Sequence, residues 1–519
     1  MRLRLFLFAL GMLVTASAPA AEPTVLRVMP QGPLIGLDPV ATPGYPTLDH
    51  AYLVYDTLFA LDAELRAQPQ MAERDEVSAD GLAHRIALRA GLRWHDGAPV
   101  TAADCIASIR RWAARDGLGR DLMDRVAAME PDGDGVIAIK LKRPFPLLAQ
   151  ALAKPMGIVP FMLPARLASL PADRPIEEAT GSGPFRFAPE KAEGNFLKVY
   201  ERNPAYVPRP EALSLFAGGK RAAVDRLEWM YIPALAIATF ELYAGTVQYW
   251  RSPPAEALPR LAGNPDVTIR PNDALGETAM LRLNHRSPPF DDRRVRQAAA
   301  LAIDHQAMVA ALGGLAMDAR ICVSMLPCGL PGGPAALTDP RPTEERRAAA
   351  RRLLREAGYD GKPLALLTAH DQPVVDALAR ATADQLRRVG FIVTINDMLW
   401  PDLARRRQSP ASVEDGGWSA FVTRWPALDL ASPAWNEALR ATGEQAWIGW
   451  PKDDALESLR QDWLDAPSTA GAERIEQRAA EIVAYVPLAQ FRLPVAYRHT
   501  AITDPPPLPV MALWGVARR

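Results

Sequence analysis

Histidine and cysteine are scarce in this chain of 519 residues, which contains seven histidines and three cysteines. The histidines are dispersed, and no H-E-x-x-H or H-x-H pair occurs, so the sequence holds no recognisable ligand set for a catalytic metal. The G-x-S-x-G, G-x-G-x-x-G and Walker patterns are missing as well. These absences leave no signature of a serine nucleophile and none of a phosphate-binding loop.

The chain also lacks an excess of charge of either sign. Its 59 Lys and Arg residues and 60 Asp and Glu residues give a formal net charge of −1. A nearly neutral chain is a poor partner for nucleic acid or anionic lipid, whose binding depends on many positive charges. The arginines between 346 and 355 are accompanied by Glu344, Glu345 and Glu356, which is typical of a solvated helix face. We therefore expect no nucleic-acid partner.

The apolar run near the N-terminus, Leu5 to Val14, is too short to span a bilayer. It follows Arg2 and Arg4 and precedes Ala18-Pro19-Ala20, the arrangement of a secretory signal peptide. We predict cleavage after Ala20; a membrane anchor is the alternative. Because no cysteine follows the run, the sequence predicts no lipid anchor and a mature protein free in a bacterial periplasm.

A chain of this length exceeds what one hydrophobic core supports, so two or more domains are expected. The hydrophobic share of 49% and the charged share of 23% are ordinary for globular proteins. The 49 prolines are about twice the usual number. Since they are scattered along the chain, they indicate many loops and not one disordered segment.

The stretch Gly81–Trp112 predicts a strand, a hairpin turn and a helix. Ile86 and Leu88 alternate with polar residues at the period of a strand. Asp96-Gly97 is a dipeptide that two-residue hairpin turns favour. Thr101-x-x-Asp104 is a capping box, which satisfies free N–H groups at a helix start.

As a whole, Gly81–Trp112 resembles the signature block of family 5 of the bacterial extracellular solute-binding proteins, with Cys105 in place of the family's valine. Other blocks extend the resemblance from about Leu26 to Arg498. They include Leu37-Asp38-Pro39 followed by a helix at Tyr52–Phe59, the G-S-G-P-F sequence from Gly181, the strand and turn at 195–206, and Asn284 to Val309, with its P-P-F-D-D and A-I-D sequences.

The resemblance implies an α/β fold of the type II periplasmic-binding-protein class, with two lobes joined by hinge strands and an extra subdomain on lobe 1. The implied ranges are 1–20 for the signal peptide; 21–45, 178–265 and 488–519 for lobe 1; 46–177 for the subdomain; and 266–487 for lobe 2. It further implies a monomer without cofactor or catalytic metal that delivers a small ligand, such as a di- or oligopeptide, to the permease of an ABC importer.

Two other functions stay open on the sequence alone. The same fold serves receptors for non-peptide solutes and receptors that feed a sensor protein. A periplasmic hydrolase is the alternative from another class, and it would need a nucleophile with a base or a metal site. Neighbouring genes for permease and ATPase subunits would favour transport over sensing.

Half of the twelve tryptophans fall between 400 and 450, which suggests an aromatic binding wall. The stretch Trp418–Pro433 resembles the family segment that lines the cleft, so Trp418 and Trp425 are candidate ligand contacts. In peptide-binding members, an aspartate three residues after the tryptophan holds the α-ammonium of the ligand. Here Leu428 has that position and Asp429 comes one residue later, so Asp429 is a candidate anchor from a shifted register.

Further candidates for the wall are Thr42, Gly44 and Tyr45, in the loop after the first strand. Arg424 stands beside Trp425, and its planar guanidinium suits a ligand carboxylate. A surface position without a binding role is the equal alternative for Arg424.

Three cysteines in an exported chain predict one disulfide and one thiol. Cys322 and Cys328 lie six residues apart and are expected to pair, because a metal site there would lack nearby histidine. Cys105 lies on the apolar face of the predicted helix, where a buried and inert thiol is expected.

Overall fold

The computed structural model describes residues 22–331 and 341–519. The predicted signal peptide and its cleavage site after Ala20 lie outside the described residues. The strands, in chain order, are β1 (Val25–Met29), β2 (Phe59–Leu61), β3 (Ala67–Pro69), β4 (Ala72–Val77), β5 (Ala83–Leu88), β6 (Val126–Pro131), β7 (Val136–Leu141), β8 (Phe185–Phe187), β9 (Leu197–Arg202), β10 (Arg226–Met230), β11 (Tyr249–Arg251), β12 (Val267–Pro271), β13 (Glu277–Leu283), β14 (Met317–Arg320), β15 (Leu364–Ala369), β16 (Val393–Met398), β17 (Ala420–Pro426), β18 (Val486–Arg492) and β19 (Pro494–Arg498).

The α-helices are α1 (Tyr45–Val54), α2 (Ala102–Arg115), α3 (Gly117–Arg125), α4 (Leu148–Ala151), α5 (Ala165–Ala168), α6 (Leu235–Ala244), α7 (Leu258–Ala262), α8 (Arg293–Ala302), α9 (His305–Leu312), α10 (Thr343–Glu356), α11 (Pro373–Arg388), α12 (Trp400–Arg406), α13 (Asp454–Asp465) and α14 (Thr469–Ile482). Short 3₁₀ helices follow β17, at Ala427–Leu430 and Glu437–Leu439.

Two large mixed sheets form the frame of the molecule. The first has seven strands in the order β12-β19-β11-β1-β10-β9-β8, and β1 runs parallel to β10 and β11. The second has six strands in the order β14-β18-β13-β17-β15-β16, and β15 runs parallel to β16 and β17. Each sheet is covered by its own hydrophobic core, as expected of an α/β protein with two lobes.

The chain crosses between these sheets twice. It leaves the seven-stranded sheet between β12 and β13, and it returns through Leu493, which separates β18 from β19. These crossings lie a few residues beyond the expected boundaries at 266 and 488, because strand pairing continues to Pro271 and Arg492. The α/β class with two lobes joined by hinge strands is confirmed.

The four-stranded antiparallel sheet β4-β5-β7-β6 is a separate sheet. Its residues lie in the chain between β1 and β8, which both belong to the seven-stranded sheet. With α2, α3 and α4 it encloses a third core, which includes Trp112, Leu118 and Ile137. Trp435 and Leu464, from the distant segment after β17, also pack in this core. The part of the chain expected to be the extra subdomain therefore contacts the part expected to be lobe 2.

The block Gly81–Trp112 has the local structure that its sequence predicts. The turn after β5 has Gly97 at a φ of 91°, and the N–H of Ala98 donates to Oδ1 of Asp96 at 3.0 Å. The side chains of Thr101 and Asp104 form the reciprocal capping box at the start of α2. The strand and capping predictions are confirmed. A turn lies at the predicted place, but it is not the expected two-residue hairpin turn, since the N–H of Gly97 donates to the carbonyl of Trp94 and Gly97 alone of the Asp96-Gly97 pair has a positive φ.

The helix expected at Tyr52–Phe59 lies earlier in the chain than the resemblance implied. α1 covers Tyr45–Val54, with Pro46 in its first turn, and Phe59 already belongs to β2. The helix ends at Val54 because its carbonyl accepts the N–H of Gly183 at 2.8 Å. A side chain at Gly183 would collide with that carbonyl, which explains the glycine.

Cys322 and Cys328 form a disulfide in the structure. Its loop is attached to the second sheet, since the N–H of Cys328 donates to Oε1 of Gln490 at 2.9 Å. Cys105 is buried in the subdomain core, and burial raises the pKa of its thiol above the usual range. Two of the three sulfur atoms are therefore held in a disulfide, and the third is buried away from solvent.

Candidate ligand cleft

Tyr45 and Arg424 meet where the two large sheets face each other. Tyr45 is the first residue of α1, which packs on the seven-stranded sheet, and Arg424 lies near the end of β17 in the six-stranded sheet. The hydroxyl of Tyr45 donates to the carbonyl of Arg424 at 3.4 Å. The Arg424 guanidinium carbon lies 5.9 Å from the centre of the Tyr45 ring. The structure thus brings together two of the predicted site residues from elements 379 positions apart.

Arg424 is not a surface arginine. Its side chain is 11% exposed and forms an ion pair through Nη1 with Glu277, which is 7% exposed. Burial lowers the pKa of Arg424, but the facing Glu277 outweighs that effect and the pKa is raised above its usual value. Among the described residues, Nη1 is the only guanidinium nitrogen of Arg424 with a hydrogen-bond partner. The remaining N–H groups can donate to a further anionic group.

Glu277 was missed by the sequence reasoning. It stands on β13, two residues from the position that pairs with Arg424, so the two side chains form a diagonal cross-strand pair. No local pattern connects residues 147 apart in the chain. Burial, followed by the charge of Glu277, raises the pKa of Tyr45 well above its usual value, so Tyr45 stays neutral.

Thr42 and Gly44 shape the approach to Tyr45. The N–H of Gly44 donates to Oγ1 of Thr42 at 3.2 Å, and the Gly44 carbonyl accepts the N–H of Leu48 at 2.9 Å. Both residues are half-buried. Their hydrogen bonds fix the loop that begins α1, and so they set the position of the Tyr45 ring.

Asp429 lies in the short 3₁₀ helix that follows β17, and it is half-buried. Its carboxylate has no hydrogen-bond or ion-pair partner among the described residues. Burial raises the pKa of Asp429 to about 7; the positive charge of Lys154 lowers it, and Glu437 and Asp116 add to the rise. Asp429 also contributes to the raised pKa of Tyr45, which places the two groups within electrostatic range.

The neighbouring Leu428, at the position of the family's aspartate, is 3% exposed and packs in the core of the seven-stranded sheet. Its side chain is therefore part of the core, and Asp429 supplies the carboxylate of this segment, although Asp429 does not line the cavity beside Arg424. A Cβ placed on Gly157 would lie 3.2 Å from Oδ1 of Asp429, so the subdomain approaches this carboxylate closely.

The two tryptophan candidates have different positions. Trp425 is half-buried and stands edge to face with Trp447, with 4.5 Å between ring centres. Trp418 has no exposed surface and packs with Phe421 and Leu403 inside the six-stranded sheet's layer. The interpretation of Trp418 as a cleft wall therefore needs correction, because a fully buried ring cannot touch a ligand.

A cavity of about 390 Å³ lies beside Arg424, between the two sheets. Its wall comes from the residues just after β1, β10 and β11, from Leu493 and Pro494 at the crossing, and from the start of α11. Crevices at the carboxyl ends of parallel strands commonly bind ligands, which is the signal that could have found this wall.

Ser252 in this wall has a φ of 55°, and its hydroxyl is buried without a hydrogen-bond partner in the described structure. Such unusual backbone geometry is frequent at binding sites. Within residues 22–331 and 341–519, no group of three or more His, Cys, Asp or Glu side chains is arranged to hold a metal ion.

Comparison with known proteins gives the same picture at the level of sequence and fold. The chain is 33% identical over 521 residues to a probable peptide ABC transporter periplasmic-binding protein of Sinorhizobium fredii, covering 98% of this chain and 96% of that protein. It is 28% identical over 379 residues to the glutathione-binding protein of Salmonella choleraesuis, covering 70% of this chain and 69% of that protein.

Among solved structures, the oligopeptide-binding protein AppA of Bacillus subtilis, in complex with a nonapeptide, shares the fold. Its TM-score is 0.75 at 20% identity, over 96% of this chain and 100% of AppA. The family model for "Bacterial extracellular solute-binding proteins, family 5 Middle" matches residues 66–446. With this match and the relative from Sinorhizobium fredii, the chain belongs to family 5 of the bacterial extracellular solute-binding proteins.

Proposed function

We propose that this protein carries a small peptide or peptide-like zwitterion to the permease of an ABC importer. The observation that carries the proposal is that one segment contains two candidate anchors of opposite charge, Arg424 and Asp429, and that Tyr45 of the other lobe contacts this segment. The relative from Sinorhizobium fredii bears the name of a peptide transporter component, which supports a ligand of this class.

In this proposal, the free donors of Arg424 take the carboxylate of the ligand, and the unpaired carboxylate of Asp429 takes its ammonium. A charge-assisted contact of this kind contributes about 1.5–3 kcal/mol. Glu277 keeps Arg424 in place and offsets part of its positive charge, so a ligand with both a positive and a negative charge fits better than a plain anion. Trp425 and the ring of Tyr45 supply apolar contact area for the body of the ligand.

Binding and release follow from movement of the two lobes about the crossings at 272–276 and 493. The ligand must contact both lobes, because a ligand that binds open and closed forms equally well shifts no equilibrium. Tyr45 from one lobe and Arg424 from the other meet that requirement. The work of the protein is then a binding cycle and not a chemical reaction.

The remaining parts of the proposal concern location and partners. We place the mature protein in the periplasm as a monomer without lipid anchor or cofactor, after cleavage behind Ala20. Its partners are the ligand and the membrane permease subunits. The name of the relative from Sinorhizobium fredii supports the periplasm and the transporter.

A thermal-shift screen of the mature protein tests the proposal. Dipeptides, tripeptides and glutathione would be compared with sugars and metal chelates at equal concentration. Because a ligand that binds only the folded state raises the melting temperature by mass action, we expect shifts with peptides alone. Shifts confined to sugars or chelates would contradict the proposed ligand class.

A further inference from the structure

We infer that Gly117, Asp121 and Arg440 are positioning residues for Asp429, because they form the contact that holds the extra subdomain against lobe 2 when the cleft is closed. The inference rests on the proposed closure. It concerns residues that do not touch the ligand and that the sequence did not single out.

The contact joins the start of α3 to the 3₁₀ helix Glu437–Leu439. A Cβ placed on Gly117 would overlap Oε1 of Glu437 and Nη1 of Arg440, and it would lie 2.9 Å from Oε2 of Glu437. The space at Gly117 is thus filled by side chains from the other part of the chain. An alanine there suits the helix itself, whose first turn favours it over glycine.

The Arg440 side chain cannot move away freely. The guanidinium of Arg440 donates to both carboxylate oxygens of Asp121, at 3.0 Å and 3.2 Å, and both residues are buried. Oε1 of Glu437 is enclosed and has no hydrogen-bond partner in the described structure. Making room for a methyl group would therefore break the Arg440–Asp121 pair or separate the two parts.

Further bonds cross the same boundary. Gln461 donates to Oδ1 of Asp121 at 3.1 Å, and Nη2 of Arg125 donates to Oδ1 of Asp465 at 2.7 Å. All of them connect α3 to the segment after β17. A buried pair with two parallel bonds fixes relative orientation more strictly than a single contact does.

This contact acts on the ligand anchor through the chain. Asp429 precedes Glu437 by eight residues, and its carboxylate faces Gly157 and Lys154 of the subdomain. When α3 is held against Glu437 and Arg440, the subdomain also covers Asp429. Loss of the contact should therefore loosen the cover over Asp429, although Trp435 and Leu464 still pack in the third core.

The test compares Gly117→Ala with Gly135→Ala, because a Cβ at Gly135 meets nothing within 4 Å. The readouts are the melting temperature and the radius of gyration of the ligand-free protein, and the affinity and dissociation rate of Met-Leu and glutathione. We expect Gly117→Ala to melt below Gly135→Ala, because a buried ion pair is disturbed, to have a larger radius, and to release both probes at least 5-fold faster, as 1 kcal/mol of lost closure implies.

Two companion variants keep the test decisive. Gly117→Ala with Glu437→Ala removes the overlapping carboxylate and leaves space into which Nη1 of Arg440 can shift, so it should restore part of the affinity. Arg440→Gln should repeat the effect of Gly117→Ala without adding a side chain. Unchanged affinity and radius in Gly117→Ala, or an equal loss of melting temperature with and without probe, would overturn the inference. A larger radius with no probe binding to the parent protein would support the inference and refute the proposed ligand class.

Discussion

Leu428 has the position at which the family resemblance implies an aspartate, and Asp429 follows it as the proposed anchor. The side chain of Leu428 packs in the core of the seven-stranded sheet, and the carboxylate belongs to the next residue, Asp429. Lys154 does not neutralise Asp429, since its ammonium is paired with Asp116. A half-buried carboxylate without a partner is costly, and a ligand ammonium would remove that cost.

The pH dependence of Asp429→Asn follows from the raised pKa. The folded value of about 7 lies above the usual 3.8, so ionising Asp429 costs stability from about pH 4 up to pH 7. The parent protein should lose stability across that window relative to Asp429→Asn. A bound ammonium favours the ionised form, so ligand affinity of the parent should rise with pH up to about 7.

The measurement is titration calorimetry with Met-Leu at pH 5.5 and pH 8, together with urea unfolding at both values. Asp429→Asn should bind at least 10-fold more weakly at pH 8, as loss of a charge-assisted bond implies. Asp462→Asn, on the exposed side of α13, serves as the control. Equal affinity of Asp429→Asn and the parent would remove Asp429 from the site.

Arg424→Met tests the pair with Glu277. Removing one partner leaves a buried carboxylate without a counter-charge, and we expect a loss of about 3 kcal/mol in the free energy of unfolding. The double variant Arg424→Met with Glu277→Met should recover much of that loss, yet bind no carboxylate. Urea unfolding measures the stability. A loss below 0.5 kcal/mol in the single variant would mean that the pair does not matter for folding.

At the scale of elements, short-range patterns were predicted well and long-range pairings were not. The capping box of α2 and the turn at Asp96-Gly97 depend on residues within four positions of each other, and both are present. The pairing of Glu277 with Arg424 depends on strand order, which no local pattern encodes. Trp418 failed because an aromatic residue in a cleft segment and one in a core look alike in sequence.

The disulfide loop is the element nearest to the first crossing. Nε2 of Gln490 donates to the carbonyls of both Cys328 and Leu275, and so ties the loop to the crossing segment. Replacing both Cys322 and Cys328 by serine should lower the free energy of unfolding by about 2 kcal/mol, as expected for a short closed loop. Urea unfolding of the variant and of the reduced parent protein should agree; a stability equal to that of the oxidised parent would contradict this.

At the scale of the whole molecule, length and resemblance predicted two lobes, and the sheets show where they are joined. The crossing positions could not be read from composition; β12 lies wholly beyond the expected boundary at 266, and β18 spans the one at 488. Leu493 of the second crossing lines the cavity, and Leu275 of the first crossing is tied to the disulfide loop through Gln490.

The central claim is that one small zwitterion is held by charges of both signs between the lobes. Titration calorimetry of the mature protein with Met-Leu, N-acetyl-Met-Leu and Met-Leu amide tests it most directly. We expect measurable binding of the free dipeptide, and at least 10-fold weaker binding of each blocked form, because each blocked form lacks one charge-assisted contact. Equal affinity for all three peptides would contradict the account, and so would the absence of binding by any of them.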